Sequence, residues 1–366
     1  MREYFLVFIV AAAITYLTTP LVRALAVVTG AFTPVRDRDV HSTPIPRLGG
    51  VAIFLGFAAA ALVARQLPYL KNVYSGGQIS GVLMGAAIVC LVGAIDDIRE
   101  LDWLTKLAGQ VLAAGVMAYK GVQLLAVPFF GTSTVLPTPA LVAITVVIVL
   151  ATANAVNFID GLDGLAAGVV GIAALAFFGY SYLVSFSYNP PNVFSNATFI
   201  TAAVFGCCVG FLPHNFHPAR LFMGDSGALL LGLLLAAATI SITGNVDPST
   251  FSGGAVSAAL LPIAVPLAVL SLPFLDMLLA VVRRTLAGQR PWQADAQHLH
   301  HRMLEIGHGH RTAVLILYLW AALLALGTVS FAFVDGWRAG VVIVVCVALA
   351  AALTVWLPRW STARRL

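Results

Sequence analysis

Apolar runs of about 17–25 residues follow one another along nearly the whole chain, and this spacing decides what it can fold into. Wound as a helix, such a run matches the hydrocarbon thickness of a bilayer. In lipid the backbone groups have no water to bond, so each run must satisfy its own as a helix. Hydropathy marks about eleven spans. They lie near 3–28, 49–67, 79–95, 105–120, 138–156, 164–186, 197–213, 228–243, 255–282, 312–333 and 338–357. The fourth and eighth are short. A mean hydropathy of +0.96, with 60% hydrophobic and 10% charged residues, excludes an ordinary soluble domain.

The expected fold is therefore all-α: a polytopic integral membrane helical bundle, one domain over 1–366. The first span is too long for a removable signal peptide and lacks a small-residue cleavage site. With the N-terminus outside, inner loops fall near 29–48, 96–104, 157–163, 214–227 and 283–311. Of the 20 Lys and Arg residues, all but Arg2, Arg65, Lys71, Lys120 and Arg338 then lie inside. This is a clear positive-inside bias, and it puts the C-terminus in the cytoplasm. The net charge of +5 follows from this topology and from anionic headgroups, with no reason to invoke nucleic acid.

Smaller signals are read in the same way. The four cysteines lie within apolar spans, without metal-ligand spacing, and read as small buried residues. Residues 121–137 carry β-branched and aromatic residues around a Gly-Thr-Ser turn, which suggests a small outer hairpin. Asn196-Ala-Thr198 matches a glycosylation acceptor, a pattern common by chance.

The acidic and histidine side chains collect in the inner loops. Ionisable groups at a bilayer edge are costly and read as functional. The first loop, RDRDVHSTPIPRLGG (36–50), offers Arg38, His41 and Arg47 as donors suited to phosphate. Gly49 and Gly50 permit close backbone approach. The plainer reading is a positive-inside anchor with a proline turn. In the second loop, Asp96 and Asp97 end a span, where carboxylates oppose the helix dipole and repel each other. Arg99, Lys106 or a bound metal must offset them.

The third loop, NAVNFIDGLDGLAAG (154–168), places Asp160 and Asp163 three apart, on one face if helical. With Asn154 and Asn157 this is an oxygen-rich set that suits Mg²⁺. The fourth, PHNFHPARLFMGDSGALLLG (213–232), puts Asp225 where the eighth span begins. That is an N-cap position, and a helix start also favours phosphate. Phe222 and Met223 offer a flat surface to a base, and His214, His217 and Arg220 add donors. The fifth (288–311) holds Asp295, His298, His300 and His301 between Arg290 and Arg302. Three imidazoles can bind zinc. However, no HExxH pattern occurs, and the surrounding charges suit an anionic substrate. Asp276, inside the ninth span, reads as a partner of Arg283 or Arg284, ahead of a place lining the cavity.

HSTPIPRLGG, the Asp96-Asp97 pair, NAVNFIDGLDGLAAG, FMGDSGALLLG, PFLDMLLAVVRR and DAQHLHHRML occur in series between apolar spans. In this order they resemble the polyprenyl-phosphate N-acetylhexosamine-1-phosphate transferases of glycosyltransferase family 4, over roughly residues 34–311. HSTPIPRLGG and His298-Leu-His300-His301 are similar to the UDP-N-acetylglucosamine (UDP-GlcNAc) branch. The resemblance implies a cytoplasmic-membrane enzyme. It would move N-acetylglucosamine-1-phosphate from UDP-GlcNAc to decaprenyl or undecaprenyl phosphate, releasing UMP, with Mg²⁺ (or Mn²⁺) as cofactor. Another UDP-N-acetylhexosamine, carrying GalNAc or MurNAc-pentapeptide, is the alternative donor. Members are often dimers, so a homodimer is one expected assembly.

Carried onto this chain, the resemblance implies Asn157 and Asp225 as metal ligands. It implies Asp96, Asp97, Asp160, Asp163 and His298 as the catalytic set. Arg38, His41, Arg47, Lys106, Asn154, Phe222, Arg290, Asp295, His300, His301 and Arg302 would bind substrates. Asp96 would activate the lipid phosphate, Phe222 would stack on uracil, and Asp160 and Asp163 would position the uridine end. A double displacement through an aspartyl-phosphate at Asp97 stays open. The rival from another class is a secondary transporter or ion channel, which predicts titratable groups near mid-membrane and on both sides.

Overall fold

The computed structural model describes residues 1–33, 44–74, 76–124, 127–129, 132–134, 136–187, 196–243, 307–330 and 336–363, with isolated positions between 267 and 303. Ten α-helices lie among the described residues. They are α1 (Arg2–Thr29), α2 (Gly49–Ala64), α3 (Gln78–Arg99), α4 (Trp103–Tyr119) and α5 (Thr138–Ile159). α6 (Leu165–Ser187), α7 (Asn196–Asn215), α8 (Gly224–Thr243), α9 (His310–Ser330) and α10 (Gly336–Ala363) follow. Each coincides with a span read from hydropathy. Most of the ninth span, 255–282, lies outside the described residues, as does Asp276.

Seven of these helices (α1, α3 and α5–α9) are long and apolar enough to cross a membrane. The chain is thus a polytopic membrane bundle. The expected hairpin is present as β1 (Val127–Phe129) paired antiparallel with β2 (Thr132–Thr134).

α8 is the axis of the bundle. It packs on α2, α3, α5 and α7 and buries nearly every side chain from Ser226 to Ile242. A helix apolar all round must be enclosed in this way. α1 differs: Phe5, Leu17, Leu21 and Val28 are exposed, as side chains facing lipid would be. Lipid gives no hydrophobic drive between helices, so close contact through small residues holds them together. Gly93 of α3 is such a contact: a Cβ there would lie 2.4 Å from the Ser226 nitrogen.

The helix ends that carry polar residues are set by local chemistry. Asp102 caps α4, accepting N–H bonds from Leu104 and Thr105 at 3.0 Å each. Bonds from Thr105 hold its carboxyl below the usual range. This cap fixes the start of α4 and places Lys106 in its first turn. Ahead of α2, the Arg47 N–H donates to the Ala31 carbonyl at 2.9 Å, and the Phe222 N–H to Pro46 at 2.8 Å. The Gly49 N–H returns to the Phe222 carbonyl at 3.0 Å. The first inner loop is thereby stitched to the segment preceding α8.

Candidate active site

The C-terminal ends of α3 and α5 and the N-terminal ends of α4 and α8 bring their polar residues together. Lys106 is the hub. Its ammonium lies 2.7 Å from Asp96 Oδ2 and 2.9 Å from Asp225 Oδ2, joining α3 to α8 through α4. Asp96 is buried, and its Oδ1 accepts the Leu101 N–H at 2.7 Å. Asp96 and Asn157 each lie within hydrogen-bonding reach of Asp225.

Asp97 is 1% exposed. Its two carboxylate oxygens accept the backbone N–H groups of Asp225 and Ser226, at 3.0 and 3.1 Å. The sequence suggests that Asp225 caps α8 and that the helix start is open to phosphate. Instead Asp97 reaches across from α3 and takes those amides. The helix dipole that opposes Asp97 at the end of its own helix is offset by the start of another. Gly224, at φ 68°, makes room, since a Cβ there would sit 2.3 Å from Asp97 Oδ2. Arg47 adds a cation: its Nε donates to the Asp97 carbonyl at 3.0 Å and lies 3.8 Å from Oδ1. The offsetting cations are thus Lys106 and Arg47, while Arg99 is exposed.

Asp160 and Asp163 do not share a helical face. α5 ends at Ile159 and α6 begins at Leu165, so both lie in the intervening turn. Asp160 stays with the main cluster. Burial and the charges of Asp225, Asp97 and Asp163 push its carboxyl up to about 8. Asp163 turns the other way. Its Oδ2 accepts from His217 Nδ1 at 2.8 Å and from the Ala219 N–H at 3.0 Å.

Asn154, one turn before Asn157, donates to Gln110 Oε1 at 2.7 Å and so ties α5 to α4. Phe222 is half-buried beside Arg47 on the stitched segment, whereas Met223 is buried. His214 lies against Tyr16, with ring centroids 4.8 Å apart and planes tilted by 39°, away from the carboxylates. Arg38, His41, Arg290, Asp295, His298, His300, His301 and Arg302 lie outside the described residues. Gln110, Asn215 and His310 stand out in no motif: Asn215 Oδ1 accepts the Gly164 N–H at 3.1 Å and His310 Nε2 the Asp163 N–H at 3.2 Å, across 51 and 147 positions. Only their partners, far along the chain, give them meaning.

Among the described residues the cluster's donors are oxygen: the carboxylates of Asp96, Asp97, Asp160 and Asp225 and the Asn157 amide. Lys106 and Arg47 are the cations recorded against them. Lys106 holds its ammonium between two carboxylates, where a hard cation would also be favoured. An oxygen set with negative charge in excess fits Mg²⁺ and does not suit zinc.

Residues 79–243 match the family described as glycosyl transferase family 4. The chain is 44% identical over 359 residues to the decaprenyl-phosphate N-acetylglucosaminephosphotransferase of Mycolicibacterium smegmatis, covering 97% of this chain and 88% of that one. It is 43% identical to the protein of that name from Mycobacterium tuberculosis, over 91% of this chain and 83% of the relative. Identity is 30% to the probable undecaprenyl-phosphate N-acetylglucosaminyl 1-phosphate transferase of Bacillus subtilis, covering 85% and 80%.

Proposed function

Since the chain belongs to glycosyl transferase family 4, we propose that it transfers N-acetylglucosamine-1-phosphate from UDP-GlcNAc to decaprenyl phosphate. The products are decaprenyl-diphospho-GlcNAc and UMP. The relatives named for this reaction, similar over nearly the whole chain, support the donor and the acceptor. The reaction makes the first lipid-linked sugar of an envelope polysaccharide. The positive-inside bias supports a site on the cytoplasmic face, where a nucleotide sugar is available.

One observation carries the mechanism: Lys106 joins Asp96 and Asp225 at a single point where four helix ends meet. Phosphoryl transfer needs mainly positioning and neutralised charge. An oxygen of the lipid phosphate attacks the phosphorus that bears the sugar. The bond from that phosphorus to the bridging oxygen breaks, and UMP leaves with the electron pair. Asp96 orients the lipid phosphate and takes its remaining proton. Lys106 spreads its charge over the two phosphates as they meet. Asp225 and Asn157 would hold Mg²⁺, which when bound neutralises the diphosphate. Phe222 stacks on the uracil.

Asp97 acts as a positioning residue. Both of its oxygens accept α8 amide N–H bonds, which lowers their nucleophilicity and holds them against the helix start. That favours direct attack over an aspartyl-phosphate.

The test uses purified protein, Mg²⁺, UDP-GlcNAc and decaprenyl phosphate, with Asp225→Ala as control. Metal-dependent UMP release with matching lipid-linked GlcNAc, lost in the variant, is expected. Product with a different UDP-hexosamine only would overturn the donor. No product with any UDP-sugar, from folded protein, would reopen the transporter reading.

A further inference from the structure

Asp163, His217 and His310 form a second polar cluster that joins the α5–α6 turn, the segment between α7 and α8, and the first turn of α9. Besides accepting from His217 and Ala219, Asp163 donates its own N–H to His310 Nε2 at 3.2 Å. The two imidazoles stack, with centroids 4.3 Å apart and planes 20° from parallel. Arg311 Nε donates to the His217 carbonyl at 3.2 Å. Asp163 is 1% exposed, so its own bonds are shielded from competing water, whereas the Arg311 bond lies at the surface.

One carboxylate and two imidazoles with ligand atoms within 4.8 Å of one another are also a set that could hold a metal ion. Their present bonds argue for another role. His217 gives its Nδ1 proton to Asp163, and His310 Nε2 already accepts the Asp163 N–H. Each group serves the next, which is how a clamp is built rather than an open cage of ligands.

What the clamp holds is the segment from His217 to Phe222. Its far end is held by Arg23 Nε on the Arg220 carbonyl at 3.1 Å, by Asn215 Nδ2 on the Leu221 carbonyl at 3.0 Å, and through the Phe222 backbone. Asp225, three residues on, is fixed separately by Lys106 and by the Asp97 cap on α8. We infer that Asp163, His217 and His310 are positioning residues that set the height and tilt of Phe222, and so the grip on the uridine end of the donor. This rests on the function proposed above. It gives α9 a role that hydropathy cannot: its first turn, carrying His310 and Arg311, braces the nucleotide side of the site. Asp163 then acts through its neighbours rather than by touching substrate.

The test is His310→Ala beside the conservative His310→Gln, whose amide oxygen can accept the same N–H, and Arg311→Gln. In His310→Ala the KM for UDP-GlcNAc should rise about tenfold, the value of one or two lost hydrogen bonds. UMP affinity, measured by calorimetry, should weaken in parallel. The kcat and the KM for decaprenyl phosphate should stay within about threefold, because the clamp does not hold Asp225 or Lys106. His310→Gln should recover most of the nucleotide affinity, and Arg311→Gln should show a weaker form of the same split. Loss of kcat at unchanged KM, or equal loss toward both substrates, would overturn the clamp. Tightly bound zinc at one ion per chain, with UMP affinity lost on its removal, would replace the clamp by a metal centre. Wild-type protein that binds UMP but makes no lipid product would leave the clamp standing and remove the transferase reading.

Discussion

Asp97 stands across the amino end of a helix to which it does not belong, with its Oδ2 3.1 Å from the Ser226 N–H. One carboxylate thus caps α8 and fixes where Asp225 stands relative to Asp96. Asp97→Ala leaves two N–H groups, one of them fully buried, without an acceptor. It should cost about 1–3 kcal/mol in thermal unfolding. Asp97→Asn keeps one acceptor and should cost less. If Asp97 only positions α8, the Asn variant retains transferase activity, slowed about ten- to hundredfold. Capture of a phosphorylated enzyme from the wild type, with no turnover at all in Asp97→Asn, would instead make it a nucleophile.

Lys106 between Asp96 and Asp225 makes metal and lysine partial substitutes in holding two carboxylates together. Lys106→Met removes the ammonium and leaves those carboxylates facing each other. The metal-free variant should unfold at lower temperature than the wild type. Its gain in melting temperature on adding Mg²⁺ should be larger, because the ion then relieves repulsion that Lys106 otherwise relieves. Activity at saturating Mg²⁺ should still fall at least about tenfold, since the transferred phosphate loses a cation. An equal Mg²⁺ shift in both proteins would show that the ion binds elsewhere.

The raised Asp160 carboxyl gives a pH dependence with a definite sign. Burial and nearby carboxylates hold it at about 8, against about 4 in an unfolded chain. The folded protein therefore binds more protons than the unfolded one between these values. Metal-free stability should be full below about pH 4 and decline as pH rises toward about 8. A divalent cation nearby favours the ionised form, so Mg²⁺ must displace this proton to bind. Its affinity should then rise with pH, up to about tenfold per unit, and level off above about pH 8. Asp160→Asn should flatten both trends. Calorimetric Mg²⁺ titrations across this range check it, and an unchanged slope in the variant would assign the proton to another group.

Much of the bundle can be read from hydropathy, because span length follows from helix rise and bilayer thickness, and neither depends on tertiary detail. The candidate cluster is legible to the extent that its residues sit at span ends, which is what singles out Asp96, Asp97, Asn157 and Asp225. The partnerships are not. Arg47 meets Asp97 across 50 positions, and Asp163 meets His310 across 147. No local period encodes such pairs. The spacing of Asp160 and Asp163 even points the wrong way, because the turn between α5 and α6 separates two carboxylates that a helix would have aligned. Helix capping misleads for a related reason. Asp225 has the right place in sequence, but the N–H groups it might have capped are taken by a side chain from another helix.

Gly93 gives the most direct test that backbone proximity, beyond side-chain chemistry, builds the site. It lies one turn before Asp97 on the face of α3 that meets α8. A Cβ there would fall 2.4 Å from the Ser226 nitrogen and 2.5 Å from its Cα. Backbone on both sides means no rotamer can relieve the clash, so the two helices must move apart. Asp97 then draws away from the Asp225 and Ser226 amides, and the spacing that lets Lys106 bridge Asp96 and Asp225 widens. Gly93→Ala adds one methyl and raises helix propensity, so local helix stability argues for a gain. The expected outcome is the reverse: a loss of about 1–3 kcal/mol from overpacking and a fall in kcat larger than any rise in KM for either substrate. Gly115 of α4 is the control, because a Cβ there meets nothing within 4 Å. Gly115→Ala should be neutral or slightly stabilising. If both variants behave alike in unfolding and turnover, the α3–α8 contact does not set the geometry of the carboxylates.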